Sequence, residues 1–265
     1  MGNVLIFVAL AKVSSLHPPS KLLFGCLAST DFCVGLVSQP LFVTFMLAPG
    51  LSKLCYYTTI LLNTICYIFS GVSLLTVTTI SVDRLLALIL KLRYRQVVTL
   101  RRVWVLVVFF WLFSSGFSMA VLYKRRIAET ISSVIILSCL VTSIFCYTKI
   151  YLILHRRQAQ VKTNTPQGQA NKARIPLNIV RYRQTVSSAL WVQMALLFCY
   201  LPFAVATDLR GVLGLRSASL HQAHAITITL LFLNSTLNPF LYCWKLKDVR
   251  QGVKETIRKL SCFQC

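Results

Sequence analysis

Six apolar runs of membrane-crossing length, at about 22 to 48, 54 to 82, 103 to 123, 131 to 154, 184 to 209 and 220 to 243, restrict the fold of this chain more than any other feature in it. A bilayer's hydrocarbon core takes roughly 20 apolar helical residues to cross, and short basic links separate these runs. Each run therefore predicts a spanning helix. Bulk composition agrees: of the 265 residues 56% are hydrophobic and 13% charged, and mean hydropathy is +0.70, too apolar for a soluble globular domain.

A shorter run precedes them. GNVLIFVALAKV, residues 2 to 13, is about half the length of a crossing. It lacks a basic leading region and a small-residue cleavage site, and its apolar stretch ends in Lys12, unlike a signal peptide. The expectation is a first helix whose start, with any extracellular N-terminus, precedes residue 1. With it the chain is an all-α membrane protein, a seven-transmembrane helix bundle forming one domain over 1–265.

A net charge of +22 would suggest nucleic acid in a soluble protein, but here the basic residues alternate by link. Arg84, Lys91, Arg93, Arg95, Arg101 and Arg102 crowd the third link, while Arg156, Arg157, Lys162, Lys172, Arg174, Arg181 and Arg183 fill the fifth and its edges. Lys245, Lys247, Arg250, Lys254, Arg258 and Lys259 follow the last span. The positive-inside rule puts the odd links and the C-terminal tail in the cytoplasm and the N-terminus outside, with the bilayer rather than nucleic acid as the basic partner. The polar link 155–183, with Pro166 and Pro176, reads as a flexible third cytoplasmic loop, and 245–265 as an amphipathic helix and tail. Cys262 and Cys265 beside that basic helix are palmitoylation candidates, with plain thiols the alternative.

Most of the ten cysteines fall within spans, where they are small apolar residues rather than a disulfide framework. His221 and His224 could share a metal, but two ligands fall short of a site and an interfacial pair is preferred. No catalytic nucleophile, paired carboxylates or metal cluster emerges, so no enzyme is expected.

Ionisable residues inside spans are costly and mark candidate sites. Asp31 lies mid-span in the second helix, and Asn3, Ser73, Asn234, Ser235 and Asn238 are polar residues of other spans. Asn234, Asn238 and Tyr242 recur every fourth residue, which puts them on one helix face. Pro239 should bend that helix and release carbonyls near the asparagines. Asn234-Ser235-Thr236 fits the glycosylation sequon only by chance within the membrane. The polar residues could hold water or a small cation around Asp31; a protonated, hydrogen-bonded carboxyl is the alternative. Asp83 and Arg84 close the third span, where the bland reading is a solvated helix end.

Taken together, these motifs resemble the rhodopsin-like (class A) G-protein-coupled receptors across nearly the whole chain. Gly2-Asn3 is similar to the first-helix GN motif, Leu27-Ala28-Ser29-Thr30-Asp31 to LAxxD, Asp83-Arg84-Leu85 to DRY, Trp111 to the fourth-helix tryptophan, Tyr147 to the fifth-helix tyrosine, Cys199-Tyr200-Leu201-Pro202 to CWxP, and Asn238-Pro239-Phe240-Leu241-Tyr242 to NPxxY. The resemblance implies a sodium pocket at Asp31, Ser73, Asn234, Ser235 and Asn238, with Asn3 beside it. It implies an activation switch and G-protein contact at Asp83, Arg84, Tyr147, Tyr200, Pro202, Pro239 and Tyr242. Candidates for the ligand pocket are Asn63, Cys66, Tyr67 and Thr207. No cofactor is implied beyond sodium as an allosteric ion, whose preference for oxygen ligands the cluster suits.

The chain departs from the family pattern at Leu85 for the DRY tyrosine, Tyr200 for the toggle tryptophan, Cys139 for the fifth-helix proline and Thr59 for the third-helix cysteine. The last absence, with a short second outer link lacking cysteine, resembles the branch of melanocortin, cannabinoid and lysophospholipid receptors. The expected function is a plasma-membrane receptor that binds an extracellular ligand and activates a heterotrimeric G protein; a transporter or ion-conducting protein, or a non-signalling fragment, is the alternative. Cys66 stands where aminergic receptors carry their amine-binding aspartate, and the expected outer side has Glu129 and Asp208 against six basic residues, which favours a neutral or anionic ligand. Tyr182 stands where an acid often restrains the third-helix arginine, so high resting activity is expected.

Overall fold

A computed structural model describes residues 2–12, 17–47, 52–163, 194–209 and 218–245, with Val253 and Arg258 beyond them. These residues form α1 (Gly2–Lys12), α2 (Pro18–Leu47), α3 (Ser52–Leu90), α4 (Leu100–Tyr123), α5 (Arg125–Thr163), α6 (Met194–Leu209) and α7 (Ala218–Lys245). Four of them, α2 to α5, hold segments long and apolar enough to cross a membrane.

Local chemistry sets several boundaries. Pro18 and Pro19 open α2, where a missing N–H costs nothing and the fixed φ suits a helix. Mid-way, Val34–Ser38 widens into a π-helical stretch that shifts the register of the second part of α2. Lys91, at φ 47°, turns the chain out of α3 through the left-handed region. A single helical turn, Tyr94–Val97, follows, and the Thr99 hydroxyl then caps α4 by accepting from Arg102 N at 3.4 Å. Between α4 and α5 only Lys124 lies outside a helix, which accounts for the expected brevity of that link.

The packing is that of a protein solvated by lipid. Leu36, Trp104, Phe109, Leu112 and Phe145 are exposed, whereas Asp31, Asn234 and Asn238 are buried. Apolar surface faces outward because hydrocarbon does not penalise it, and polar groups turn inward to one another. Residues from all seven helices meet in one core, including Ile6, Leu27, Val77, Val107, Leu140, Leu196 and Leu231. At α3 and α4 the approach is close: a Cβ on Gly71 would stand 2.8 Å from Ser114 Oγ, the small-residue contact that lets membrane helices pack tightly.

Two expected boundaries change. Both α3 and α5 are 39 residues long, or about 58 Å at 1.5 Å per residue, nearly twice a hydrocarbon core. Asp83 and Arg84 are therefore followed by two further turns of α3 instead of ending it, and the carboxylate is buried, not solvated. Likewise α5 runs to Thr163, so the first part of the expected flexible loop 155–183 is helical. His155 to Thr163 contains Arg, Gln, Ala and Lys, which sustain a helix once hydropathy has stopped marking it. The rest of that loop, Tyr182 and the tail cysteines Cys262 and Cys265 lie outside the described residues.

Candidate functional site

Three polar assemblies follow one another along the bundle. At the middle, Asp31 of α2 is 1% exposed, and its Oδ2 accepts from Asn238 Nδ2 of α7 at 2.7 Å. Around it, Asp31 Oδ1, Ser73 Oγ, Asn238 Oδ1 and both polar side-chain atoms of Asn234 are buried without hydrogen-bond partners among the described residues. Asn3 of α1 reaches the same helix, donating from Nδ2 to the Ser235 carbonyl at 3.3 Å. Sequence spacing put Asn234 and Asn238 on one face of α7; packing brings that face to Asp31. Buried oxygens left unsatisfied are costly, and a carboxylate among amide and hydroxyl oxygens is the donor set of a hard cation. The residues present fit sodium.

Towards one end lies the second assembly. Asp83 of α3 accepts from Tyr94 OH at 2.6 Å and from Ser20 Oγ at 2.9 Å, and its Oδ2 is 3.6 Å from Arg84 NH2. The Arg84 guanidinium also lies over the Phe24 ring, 5.5 Å from its centroid. Tyr94 is steadied in turn by His17, ring centroids 5.3 Å apart. Two residues before Asp83 on α3, Ser81 Oγ donates to Tyr147 OH of α5 at 3.1 Å, and Arg157 donates to the Leu88 carbonyl at 3.3 Å. Arg84 thus lies beside Asp83, and Tyr147 is bonded to Ser81 of the same helix. Ser20 and Tyr94 were not anticipated: nothing local marks a serine and a tyrosine, 63 and 11 residues from Asp83, as its partners.

At the opposite end opens the third, a cavity of about 730 Å³ between α3, α4, α5, α6 and α7. Asn63, Cys66, Tyr67 and Thr207 all line it, and Tyr200 lines it from α6. The Tyr200 hydroxyl donates to the Ser70 carbonyl at 3.3 Å, one turn of α3 from Ser73 in the central cluster. Glu129 and His224 also line the cavity; sequence reading counted Glu129 only as outer charge and His224 as an interfacial residue. Pro202 lies within α6 and Pro239 and Tyr242 within α7; the side chains of the last two are outside the described ones. Among the described residues no cluster of three or more potential ligands would hold a transition metal.

A ligand-sized cavity at one end, an Asp–Arg assembly at the other and a polar cluster between them lie along one helical bundle. The chain belongs to the family described as 7 transmembrane receptor (rhodopsin family), which matches residues 2–131 and 123–242. Similar proteins include human trace amine-associated receptor 9, 23% identical over 282 residues covering 96% of this chain and 79% of that receptor, and sheep adenosine receptor A3, 23% identical over 290 residues covering 100% and 87%. The protein is a G-protein-coupled receptor, a multi-pass plasma-membrane protein of a family whose partners are an extracellular ligand and a G protein. Members of that family are receptors, not enzymes.

Proposed function

We propose that the cavity end faces outward, takes an uncharged ligand of small-molecule size, and transmits its binding through Tyr200 and the Asp31 cluster to Asp83 and Arg84, where the G protein docks. This places the N-terminus outside and the tail in the cytoplasm, in keeping with the basic links. The observation that carries the reading is Tyr200, which lines the cavity and is anchored one turn from Ser73. A ligand pressing on this side chain has a short route to the central cluster, and a ligand that binds one arrangement better shifts the population. Sodium, held by Asp31 with Ser73, Asn234, Ser235 and Asn238, would favour the resting arrangement.

Two relatives carry names of quite different ligands, trace amines and adenosine. Cys66 on the wall offers an amine no counter-ion, and Glu129 on the same wall disfavours an anion, so the uncharged alternative is favoured. Nucleotide exchange on a purified heterotrimeric G protein, measured with the chain in nanodiscs across a ligand panel, tests the receptor reading. Solute or ion flux in proteoliposomes without exchange would favour a transporter. Response to an amine that is lost in Glu129→Gln would overturn the uncharged ligand.

A further inference from the structure

Hydroxyl side chains in spanning helices can satisfy themselves by donating to the carbonyl one turn back, and most here do. Thr76, Thr78, Thr79 and Ser81 of α3 and Ser138 and Thr142 of α5 donate to carbonyls four residues earlier at 2.7 to 3.0 Å. Two hydroxyls on the cavity wall do not. Ser114 Oγ of α4 and Thr207 Oγ1 of α6 have no hydrogen-bond partner among the described residues, although the residues are 3% and 2% exposed and both line the cavity. A buried hydroxyl without a partner is costly, so each marks a place where an occupant supplies the bond.

Gly71 shapes one of these places. A Cβ at this position would stand 2.8 Å from Ser114 Oγ, so only a glycine lets α3 come this close to the hydroxyl, and that glycine itself lines the cavity. Much of the remaining wall is aromatic. Tyr67 and Phe117 meet edge to face with centroids 6.2 Å apart, Phe113 stacks on Phe117 at 6.2 Å, and Phe203 stacks on His224 at 5.6 Å. Ring faces favour a flat apolar body. A buried neutral hydroxyl suits a neutral donor or acceptor, because a charged group there would lose its water for a single dipole.

We propose that the ligand of this cavity is an uncharged, ring-bearing molecule with two hydrogen-bonding groups, one against Ser114 and the other against Thr207. This rests on the receptor reading and deepens it. Ser114 and Thr207 then determine specificity, since a site built to bond a polar group rejects an analogue lacking it far better than an apolar pocket rejects an extra one.

The test uses biphenyl, 4-hydroxybiphenyl and 4,4′-dihydroxybiphenyl, which share one ring frame and carry no, one or two hydroxyls. Apparent affinity is read from the ligand-dependent thermal stability of the whole chain in nanodiscs. Affinity is expected to rise roughly threefold to tenfold per hydroxyl. Ser114→Ala and Thr207→Val should each remove one increment and leave biphenyl binding unchanged. Gly71→Ala should remove the Ser114 increment, because the added methyl would press on Ser114 Oγ and displace it, and its surviving Thr207 increment shows that the variant is folded. No binding of any of the three, affinities that ignore hydroxyl number, or increments that persist in the double variant Ser114→Ala/Thr207→Val would overturn the proposal, the last meaning that water satisfies the two hydroxyls. Nucleotide exchange on a purified G protein is followed in the same preparations. If exchange is absent throughout while the increments behave as stated, the receptor reading fails and the ligand class stands.

Discussion

Asp31 and Asp83 are both buried carboxylates in a membrane bundle, yet their surroundings are opposite. Both oxygens of Asp83 are engaged, one by Tyr94 and the other by Ser20, with Arg84 close by. Asp31 has one oxygen bonded to Asn238 and the other without a hydrogen-bond partner among the described residues, amid further amide and hydroxyl atoms in the same state. A satisfied carboxylate holds an arrangement; an unsatisfied one among oxygen donors is a seat. The same residue type therefore serves as a clasp at one end and a proposed ion site in the middle, and hydrogen-bond satisfaction tells the two apart.

The comparison breaks first at Asp31. If that seat takes sodium, a hundredfold excess over the dissociation constant should stabilise the parent by about 2.7 kcal/mol, and Asp31→Asn should abolish the effect. Thermal unfolding in matched sodium and potassium buffers reads this directly; equal sodium responses in parent and variant would remove the ion from the account. Asp83 should behave differently, with no sodium dependence of its own.

Next comes the clasp. Tyr94→Phe keeps the ring against His17 but deletes the hydrogen bond to Asp83, a charge-assisted contact of about 1.5–3 kcal/mol. Part of that should appear as ligand-free nucleotide exchange, raised roughly fivefold or more at matched surface expression because Arg84 loses a well-held neighbour. Unchanged exchange would mean that the clasp holds shape without restraining activity.

A smaller effect is expected from Tyr182→Glu, which supplies an acid at the position where the family resemblance sets a restraint on the third-helix arginine. An ion pair of about 1 kcal/mol should lower resting exchange several-fold; equal or higher exchange would sink the missing-lock idea. The smallest is Glu129→Gln. With an uncharged ligand, apparent affinity should stay within about twofold, and a loss beyond tenfold would show that the cavity uses its carboxylate as a counter-ion.

Much of this architecture was legible in the sequence because lipid imposes a coarse rule. Apolar runs of crossing length and the alternation of basic links are local signals, and both follow from the cost of exposing backbone and charge to hydrocarbon. The four-residue recurrence of Asn234 and Asn238 likewise fixed their shared face. Helix ends beyond the membrane were less legible: the extensions to Leu90 and Thr163 lie where hydropathy no longer speaks and propensity is a weak guide.

Residue order thus determined the number of spans, the family and which polar side chains must turn inward. Only the tertiary structure decided which of them meet. That Asp31 keeps an open oxygen among the described residues while Asp83 is closed by Tyr94 and Ser20, and that Ser114 packs against Gly71, depends on how helices distant in sequence rotate and approach. Those choices arise from side-chain packing between helices, and neither periodicity nor composition along one helix records what its neighbour presents.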